Sequence, residues 1–137
     1  MTDGAEETMP GGAAGQDQDN DVLQVVLHED ESSSTLVLTA AGEVDLLTVG
    51  QLADAVTAAL AGRPRVLVID LTAVTFMNSS GLSILAQAHA AGGAVTAVRV
   101  VATERSLAHR AITLTGLDQL LPVFTSDAAA LAADRVR

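Results

Sequence analysis

Cysteine is absent from this sequence of 137 residues. The protein therefore forms no disulfide, and it offers neither a thiol nucleophile nor a thiolate ligand for a metal. The sequence also lacks the GxGxxG, Walker-type GxxxxGKS/T and HExxH motifs that bind dinucleotides, phosphates or metals. We accordingly predict that the protein has no cofactor and no metal site.

Aromatic residues make up only 1% of the chain, and tryptophan, tyrosine and lysine are all missing. Seven basic residues stand against 17 acidic ones, which gives a formal net charge of −10. Nucleic-acid binding is not expected, because there are no aromatic platforms for base stacking and the net charge repels phosphates. A basic or arginine-lined protein surface is the better electrostatic partner.

The N-terminus lacks the basic start and apolar segment of a signal peptide. The apolar stretches elsewhere are too short, or too interrupted by charge, to span a bilayer, so no membrane association is expected.

Residues 1–21 hold six acids, no base and no periodic apolar residues. This composition predicts a disordered acidic tail, which we interpret as a solubilising extension rather than a docking segment. We therefore expect a cytoplasmic protein with one domain, residues 22–137.

After the tail, strand-like and helix-like segments alternate. Residues 22–29 and 35–41 predict a β-hairpin around a connection at residues 30–34. Three further strands are expected at residues 66–69, 94–101 and 120–124. Four helices are expected to begin near Thr48, Ser79 or Ser80, Thr103 and Ser126, and the last to end near Val136. This order predicts a mixed, largely parallel sheet of about five strands with an opening hairpin, packed against about four helices.

The sequence of the first helix indicates where the helix begins and ends and which face is buried. Thr48 and Gln51 form a Thr-x-x-Gln capping box, and residues 43–47 read as the connection before it. Gly62 and Pro64 end the helix. The following residues form one apolar stripe at helical spacing: Leu52, Ala55, Val56, Ala59 and Leu60.

The segment from Val66 to Leu82 is the most informative part of the sequence. An apolar strand ends at Asp70, a short connection follows, and Ser79-Ser80-Gly81 stands where a helix begins. A hydroxyl at a helix N-terminus can cap the backbone amides, and a phosphate there can be held by them. One cap needs only one serine, so the second hydroxyl requires another explanation.

This block resembles the signature of bacterial anti-sigma factor antagonists, the single-domain STAS proteins. The resemblance rests on residues 76–82, Phe-Met-Asn-Ser-Ser-Gly-Leu, after the strand ending in Asp70-Leu71. Two weaker matches support it: Gly-Glu-Val-Asp at residues 42–45 with Thr48, and Thr-Gly-Leu at residues 115–117. The similarity runs from about Val22 to the C-terminus.

The resemblance implies a partner-switching protein rather than an enzyme. Unphosphorylated, it would bind an anti-sigma factor of the GHKL serine kinase type. That kinase would phosphorylate Ser79, leaving Ser80 as the expected helix cap, and a serine phosphatase would reverse the reaction. The implied partner-binding residues are Glu43, Asp45, Thr48, Met77, Asn78, Ser79, Ser80, Gly81 and Leu82.

Asn78 departs from the family, which usually has aspartate there. This departure leaves open an alternative, a STAS-like scaffold or ligand-sensing module that phosphorylation does not regulate. Asparagine keeps the shape and the acceptor oxygen of aspartate but drops the charge.

A serine hydrolase is the enzymatic alternative, since a serine between a strand and a helix is also the nucleophile-elbow layout. The elbow needs glycine two residues before the serine, but Met77 and Asn78 occupy those positions. A triad also needs a histidine, and none of His28, His89 and His109 is obviously placed for it.

The carboxylates of Glu43 and Asp45 form a second candidate site, for acid–base catalysis or metal binding. Two carboxylates without a nearby histidine are insufficient for a metal site. We expect Asp45 to fix the turn before Thr48 by hydrogen bonding to the backbone.

Overall fold

The structure, a computed structural model, describes residues 23–30 and 33–133. The predicted tail at residues 1–21 and the predicted helix end near Val136 lie outside these residues. The strands are β1 Gln24–Asp30, β2 Thr35–Val44, β3 Val66–Met77, β4 Ala97–Val101 and β5 Val123–Phe124. The helices are α1 Val49–Ala61, α2 Ser79–Gly92, α3 Leu107–Leu114 and α4 Asp127–Ala132, with a 3₁₀ turn at Leu117–Gln119.

The five strands form one sheet in the order β1-β2-β3-β4-β5. β1 pairs antiparallel with β2, and the other three pairings are parallel. The predicted mixed sheet with an opening hairpin and helical cover is thus confirmed. Because β2 and β3 are parallel neighbours, the loops that follow them leave the sheet at the same edge.

The core is aliphatic, as the composition requires, and lies on both faces of the sheet. Side chains alternate between the faces along each strand. Leu38 and Ile69 join a large cluster that includes Leu52 of α1 and Leu85 of α2. On the other face a smaller cluster packs against Ala130 of α4; its strand members are Val37, Val66, Val68 and Val101. The predicted apolar stripe of α1 is confirmed, since all five of its residues belong to the large cluster or pack against it.

The prediction that β3 ends at Asp70 is wrong. β3 continues for seven more residues to Met77, and this extension pairs with β2 alone, because β4 ends opposite Asp70. The buried side chains of the extension, Leu71, Val74 and Met77, recur every third residue, so the sequence shows no strand alternation there. Two register shifts in the β2–β3 pairing accommodate this spacing, one of them beside Gly42, whose φ is 118°.

Further boundaries differ from the predictions. β4 begins at Ala97 rather than at residue 94, and β5 begins at Val123 rather than at residue 120. Glu43 and Val44 belong to β2 rather than to a connection. Ser106, not Thr103, caps α3: its Oγ accepts a hydrogen bond from His109 N at 3.0 Å, while residues 103–106 form a turn. The predicted cap at Ser126 is confirmed, because its Oγ accepts from Ala129 N at 3.1 Å.

In the described parts of the chain, every helix is too short or too polar to cross a membrane.

Candidate functional site

The candidate site lies at the edge of the sheet where β2 and β3 end. Val44 and Met77, the last residues of the two strands, are paired neighbours. Asn78 N donates a hydrogen bond to Val44 O at 3.1 Å, which extends the pairing by one step. The β2–α1 loop, residues 45–48, and the Ser79 turn, residues 78–81, therefore lie side by side.

Asn78 is the cap of α2, which corrects the expectation that Ser80 serves this role. Asn78 has extended backbone angles, φ −94° and ψ −175°, and its Oδ1 accepts a hydrogen bond from Gly81 N at 3.2 Å. An N-cap residue that caps with its side chain typically has extended backbone angles, as Asn78 has, whereas Ser79 and Ser80 already belong to the helix. Both serine hydroxyls are consequently released from capping.

Ser79 is the first residue of α2, and its side chain is exposed. Among the described residues, no hydrogen-bond partner is found for its hydroxyl. Ser80 is half-buried. The backbone amides of a first helical turn have no partner within the helix, so they leave positive electrostatic potential at this end of α2. A hydroxyl in this position is accessible to an incoming group and lies where negative charge is tolerated.

Gly81 is required by close packing beneath the Ser79 turn. A Cβ at this position would lie 2.7 Å from Val44 Cγ1 and 2.9 Å from Met77 Cγ. Both neighbouring side chains are buried, Val44 completely and Met77 to 7% exposure. The glycine therefore lets the start of α2 approach the ends of β2 and β3, and this approach fixes the position of Ser79.

The β2–α1 loop is held by hydrogen bonds from two side chains. Asp45 Oδ1 accepts from Leu47 N at 2.9 Å and from Thr48 N at 3.2 Å. The Thr48 hydroxyl donates to Glu43 O at 2.6 Å and accepts from Asp45 N at 3.0 Å. The expectation that Asp45 fixes this turn is confirmed.

The predicted Thr48–Gln51 capping box is wrong. Thr48 occupies the N-cap position of α1, but it makes no side-chain cap hydrogen bond. Its hydroxyl is used by the loop instead, and the residue is 1% exposed. The sequence pattern of a capping box was present, but the preceding loop competes for the same hydroxyl.

The nine expected partner-binding residues cluster at this edge, at different depths. Glu43 and Ser79 are exposed; Asp45, Asn78, Ser80 and Leu82 are half-buried; Thr48, Met77 and Gly81 are buried. The buried three form the support of the surface. Three exposed apolar residues here were not among the expected partner-binding residues: Leu46, Leu47 and Phe76. Their solvent exposure is not evident from the sequence, because leucines occur both in the core and on the surface of this protein.

The three histidines lie on three different elements. His28 is in the middle of β1, opposite Val37 of β2, and His109 is on α3. His89 is in the last turn of α2, about 15 Å along the helix axis from Ser79. No hydrogen bond joins a histidine to Ser79 or Ser80 in the described structure, and no group of metal-ligating residues is found there either.

The sequence profile of the STAS domain family matches residues 27–130. The chain belongs to this family. The STAS domain described here is 38% identical over 96 residues to the anti-sigma-F factor antagonist RsfB of Mycobacterium tuberculosis, an alignment that covers 70% of this chain and 78% of RsfB. It also superposes on the crystal structure of an anti-sigma factor antagonist from Mycobacterium paratuberculosis, with a TM-score of 0.78 and 36% identity over 84% of this chain and 96% of the other.

A more distant STAS structure shares the fold. The phosphorylated form of the Bacillus cell-fate determinant SpoIIAA matches with a TM-score of 0.59 and 23% identity over 83% of this chain and all of the other. The resemblance found in the sequence is thus confirmed at the level of family and fold.

Proposed function

We propose that this protein is an anti-sigma factor antagonist whose binding is controlled by phosphorylation of Ser79. In the unphosphorylated state it binds an anti-sigma factor of the GHKL serine kinase type and so releases the sigma factor. The kinase then phosphorylates Ser79 and the complex dissociates. A serine phosphatase restores the binding form.

The observation that carries this proposal is the position of the Ser79 hydroxyl. It is exposed at the start of α2, has no hydrogen-bond partner among the described residues, and is relieved of capping by Asn78. The 38% identity to RsfB supports the choice of an anti-sigma factor as the partner.

The chemistry requires only an accessible hydroxyl on this chain. The Ser79 oxygen attacks the γ-phosphorus of ATP, the bond to the ADP oxygen breaks, and the hydroxyl proton passes to a base on the kinase. The phosphatase hydrolyses the ester to serine and inorganic phosphate. All catalytic groups thus belong to the partners, and this chain acts as substrate and ligand rather than as an enzyme.

A phosphate on Ser79 changes the surface locally. It adds a charge of about −1.5 to −2 at pH 7 at an exposed position, next to the end of β2. Residues 43–48 and 75–83 contain no lysine or arginine that would neutralise this charge. The modified surface therefore disfavours an apolar contact that would strip the phosphate of water, without any change of fold. A tenfold loss of affinity needs about 1.4 kcal/mol, which one misplaced charge supplies.

Calorimetry with the anti-sigma factor from the same genome tests the proposal. Ser79→Ala should bind like the wild type and should stay bound when ATP is added. Ser79→Asp and the phosphorylated protein should bind at least about tenfold more weakly. Ser83→Asp is the matched control, because Ser83 is also exposed and lies one turn further along α2.

Mass spectrometry of the kinase reaction completes the test. The expected product is a phosphopeptide modified on Ser79 and not on Ser80 or Ser83. Equal affinities for the alanine, aspartate and phosphorylated forms would reject the switch. Stable partner binding without any Ser79 phosphopeptide would instead favour a scaffold that phosphorylation does not regulate.

A further inference from the structure

The β2–α1 loop exposes two consecutive leucines. Leu46 is 78% exposed and Leu47 is 72% exposed. Single exposed leucines are common on protein surfaces and need no explanation. Two adjacent ones at the top of a short loop form a continuous apolar projection, which is the kind of feature that marks a protein interface.

The loop holds these leucines in a fixed backbone conformation. Asp45 Oδ1 accepts hydrogen bonds from the amides of Leu47 and Thr48, and the buried Thr48 hydroxyl bonds to both Glu43 O and Asp45 N. The backbone on either side of Leu46 is thereby ordered before any partner arrives. Binding through this loop therefore loses little conformational entropy. The Asp45 carboxylate, already engaged with the backbone, acts as a positioning residue.

The leucines lie beside the Ser79 turn, on a loop that follows the exposed acid Glu43. Val44 directly precedes the loop and is joined to Asn78 by a 3.1 Å hydrogen bond. Glu43 is exposed, and its neighbour across the sheet, Phe76, is 43% exposed. Neither loop contains a basic residue. The surface thus combines two exposed leucines with two acidic residues, Glu43 and Asp45, and no basic residue.

We propose that Leu46 and Leu47 are the apolar anchor by which this protein binds its anti-sigma factor. The complementary surface is an apolar pocket with basic residues at its rim, which face Glu43. This inference rests on the proposed function and adds the residues that supply the affinity. It also explains how one phosphate has a large effect: a contact that excludes water next to Ser79 would force the phosphate to lose hydration.

Isothermal calorimetry with the purified anti-sigma factor tests the anchor directly. Leu46→Ala and Leu47→Ala should each raise the Kd roughly tenfold or more, because each variant loses most of the apolar side chain that the partner would bury. The double variant should bind about a hundredfold more weakly than the wild type. Because both side chains are exposed in the free protein, the thermal unfolding of these variants should match that of the wild type.

Leu107→Ala/Leu114→Ala is the matched control. These leucines of α3 are 55% and 77% exposed, so the control removes a similar apolar area elsewhere. Its Kd should stay within about twofold of the wild-type value.

The outcomes separate this inference from the proposed function. If the wild type binds, Ser79→Asp does not, and Leu46→Ala/Leu47→Ala binds like the wild type, the anchor is wrong while the switch stands. If the wild type itself does not bind the anti-sigma factor, both are wrong. Equal losses in the α3 control would also reject the anchor. So would a wild-type dimer that dissociates in Leu46→Ala/Leu47→Ala, since a second copy would then be the occupant.

Discussion

The starts of α1 and α2 lie side by side at one edge of the sheet, yet they are built in different ways. At α1 the Thr48 hydroxyl faces back into the preceding loop, and the helix has no side-chain cap. At α2 Asn78 caps the helix from outside, and Gly81 brings the first turn close to Val44. The first arrangement stabilises a loop, whereas the second stabilises a helix start and leaves Ser79 unengaged.

At the start of α1 the polar side chains support the loop, whereas at the start of α2 a polar side chain remains available for contact with a partner. The polar groups of Asp45 and Thr48 are consumed by backbone hydrogen bonds, so the β2–α1 loop presents apolar side chains. Around Ser79 the capping is done by a different residue, so a hydroxyl remains for modification. Variants at the two helix starts should therefore fail in different ways.

Thr48→Val should produce the largest effect. The substitution keeps the shape but leaves Glu43 O and Asp45 N without the buried hydroxyl that pairs with both. We expect the free energy of unfolding to fall by about 2 kcal/mol, measured by urea denaturation. Thr48→Ser retains the hydroxyl, so its free energy of unfolding should fall clearly less. Equal losses for the valine and serine variants would show that the hydroxyl does not hold the loop.

Gly81→Ala should have the second-largest effect on stability, and Gly50→Ala should change stability in the opposite direction. The added Cβ at residue 81 would lie 2.7 Å from a methyl group of Val44, whereas at Gly50 of α1 nothing lies within 4 Å. We expect Gly81→Ala to lower the free energy of unfolding by about 1–2 kcal/mol. Gly50→Ala should raise it by up to about 1 kcal/mol through better helix propensity. Stabilisation by both substitutions would contradict the close approach at α2.

Asn78→Ala should have a smaller effect that identifies the cap. Loss of the hydrogen bond from Gly81 N to Asn78 Oδ1 should cost about 1 kcal/mol of unfolding free energy. Ser80→Ala should change it by less than about 0.5 kcal/mol, because Ser80 does not cap the helix. Thermal denaturation of the two variants side by side measures the difference, and the reverse ranking would restore Ser80 as the cap.

The element order and the sheet were predictable because strand and helix periodicities were clear. The alternation after a hairpin predicted a mixed, largely parallel sheet, which the structure has. The extension of β3 to Met77 was missed because its buried residues follow a spacing of three, which becomes a strand only through the register shifts against β2. Such irregular pairing depends on a neighbouring strand and leaves no local pattern.

The location of the site was predictable, but its internal division of roles was not. The Ser79-Ser80-Gly81 block marked the start of α2, and Asp45 was expected to hold its turn, as it does. The choice of Asn78 over Ser80 as cap depends on which residue first adopts helical backbone angles. The use of the Thr48 hydroxyl by the loop depends on the path of β2 as far as Val44. The cap of α2 and the use of the Thr48 hydroxyl both depend on tertiary structure, which a capping motif in the sequence does not determine.

A third helix start, that of α4, contains a carboxyl group that is partly buried. Asp127 is the first residue of α4, where the helix dipole favours a negative charge. Its Oδ1 is nevertheless buried, with no hydrogen-bond partner found in the described structure. Burial of the carboxyl, together with the charge of the neighbouring buried Asp70, raises the pKa of Asp127 from 3.8 to about 6. Desolvation and a like charge here outweigh the dipole.

This raised pKa predicts the smallest effect, a pH dependence of stability that Asp127→Asn should remove. The folded state binds a proton on Asp127 more tightly than the unfolded chain, so this group's contribution is most favourable below about pH 4 and is lost as the pH rises to about 6. The carboxyl is partly exposed, and solvent screening reduces the change to on the order of 1 kcal/mol. Urea denaturation from pH 4 to 7 should therefore show the asparagine variant gaining stability relative to the wild type as the pH rises. Asp54→Asn, on the exposed face of α1, should show no such gain, and a constant difference between wild type and Asp127→Asn across this range would contradict the assignment.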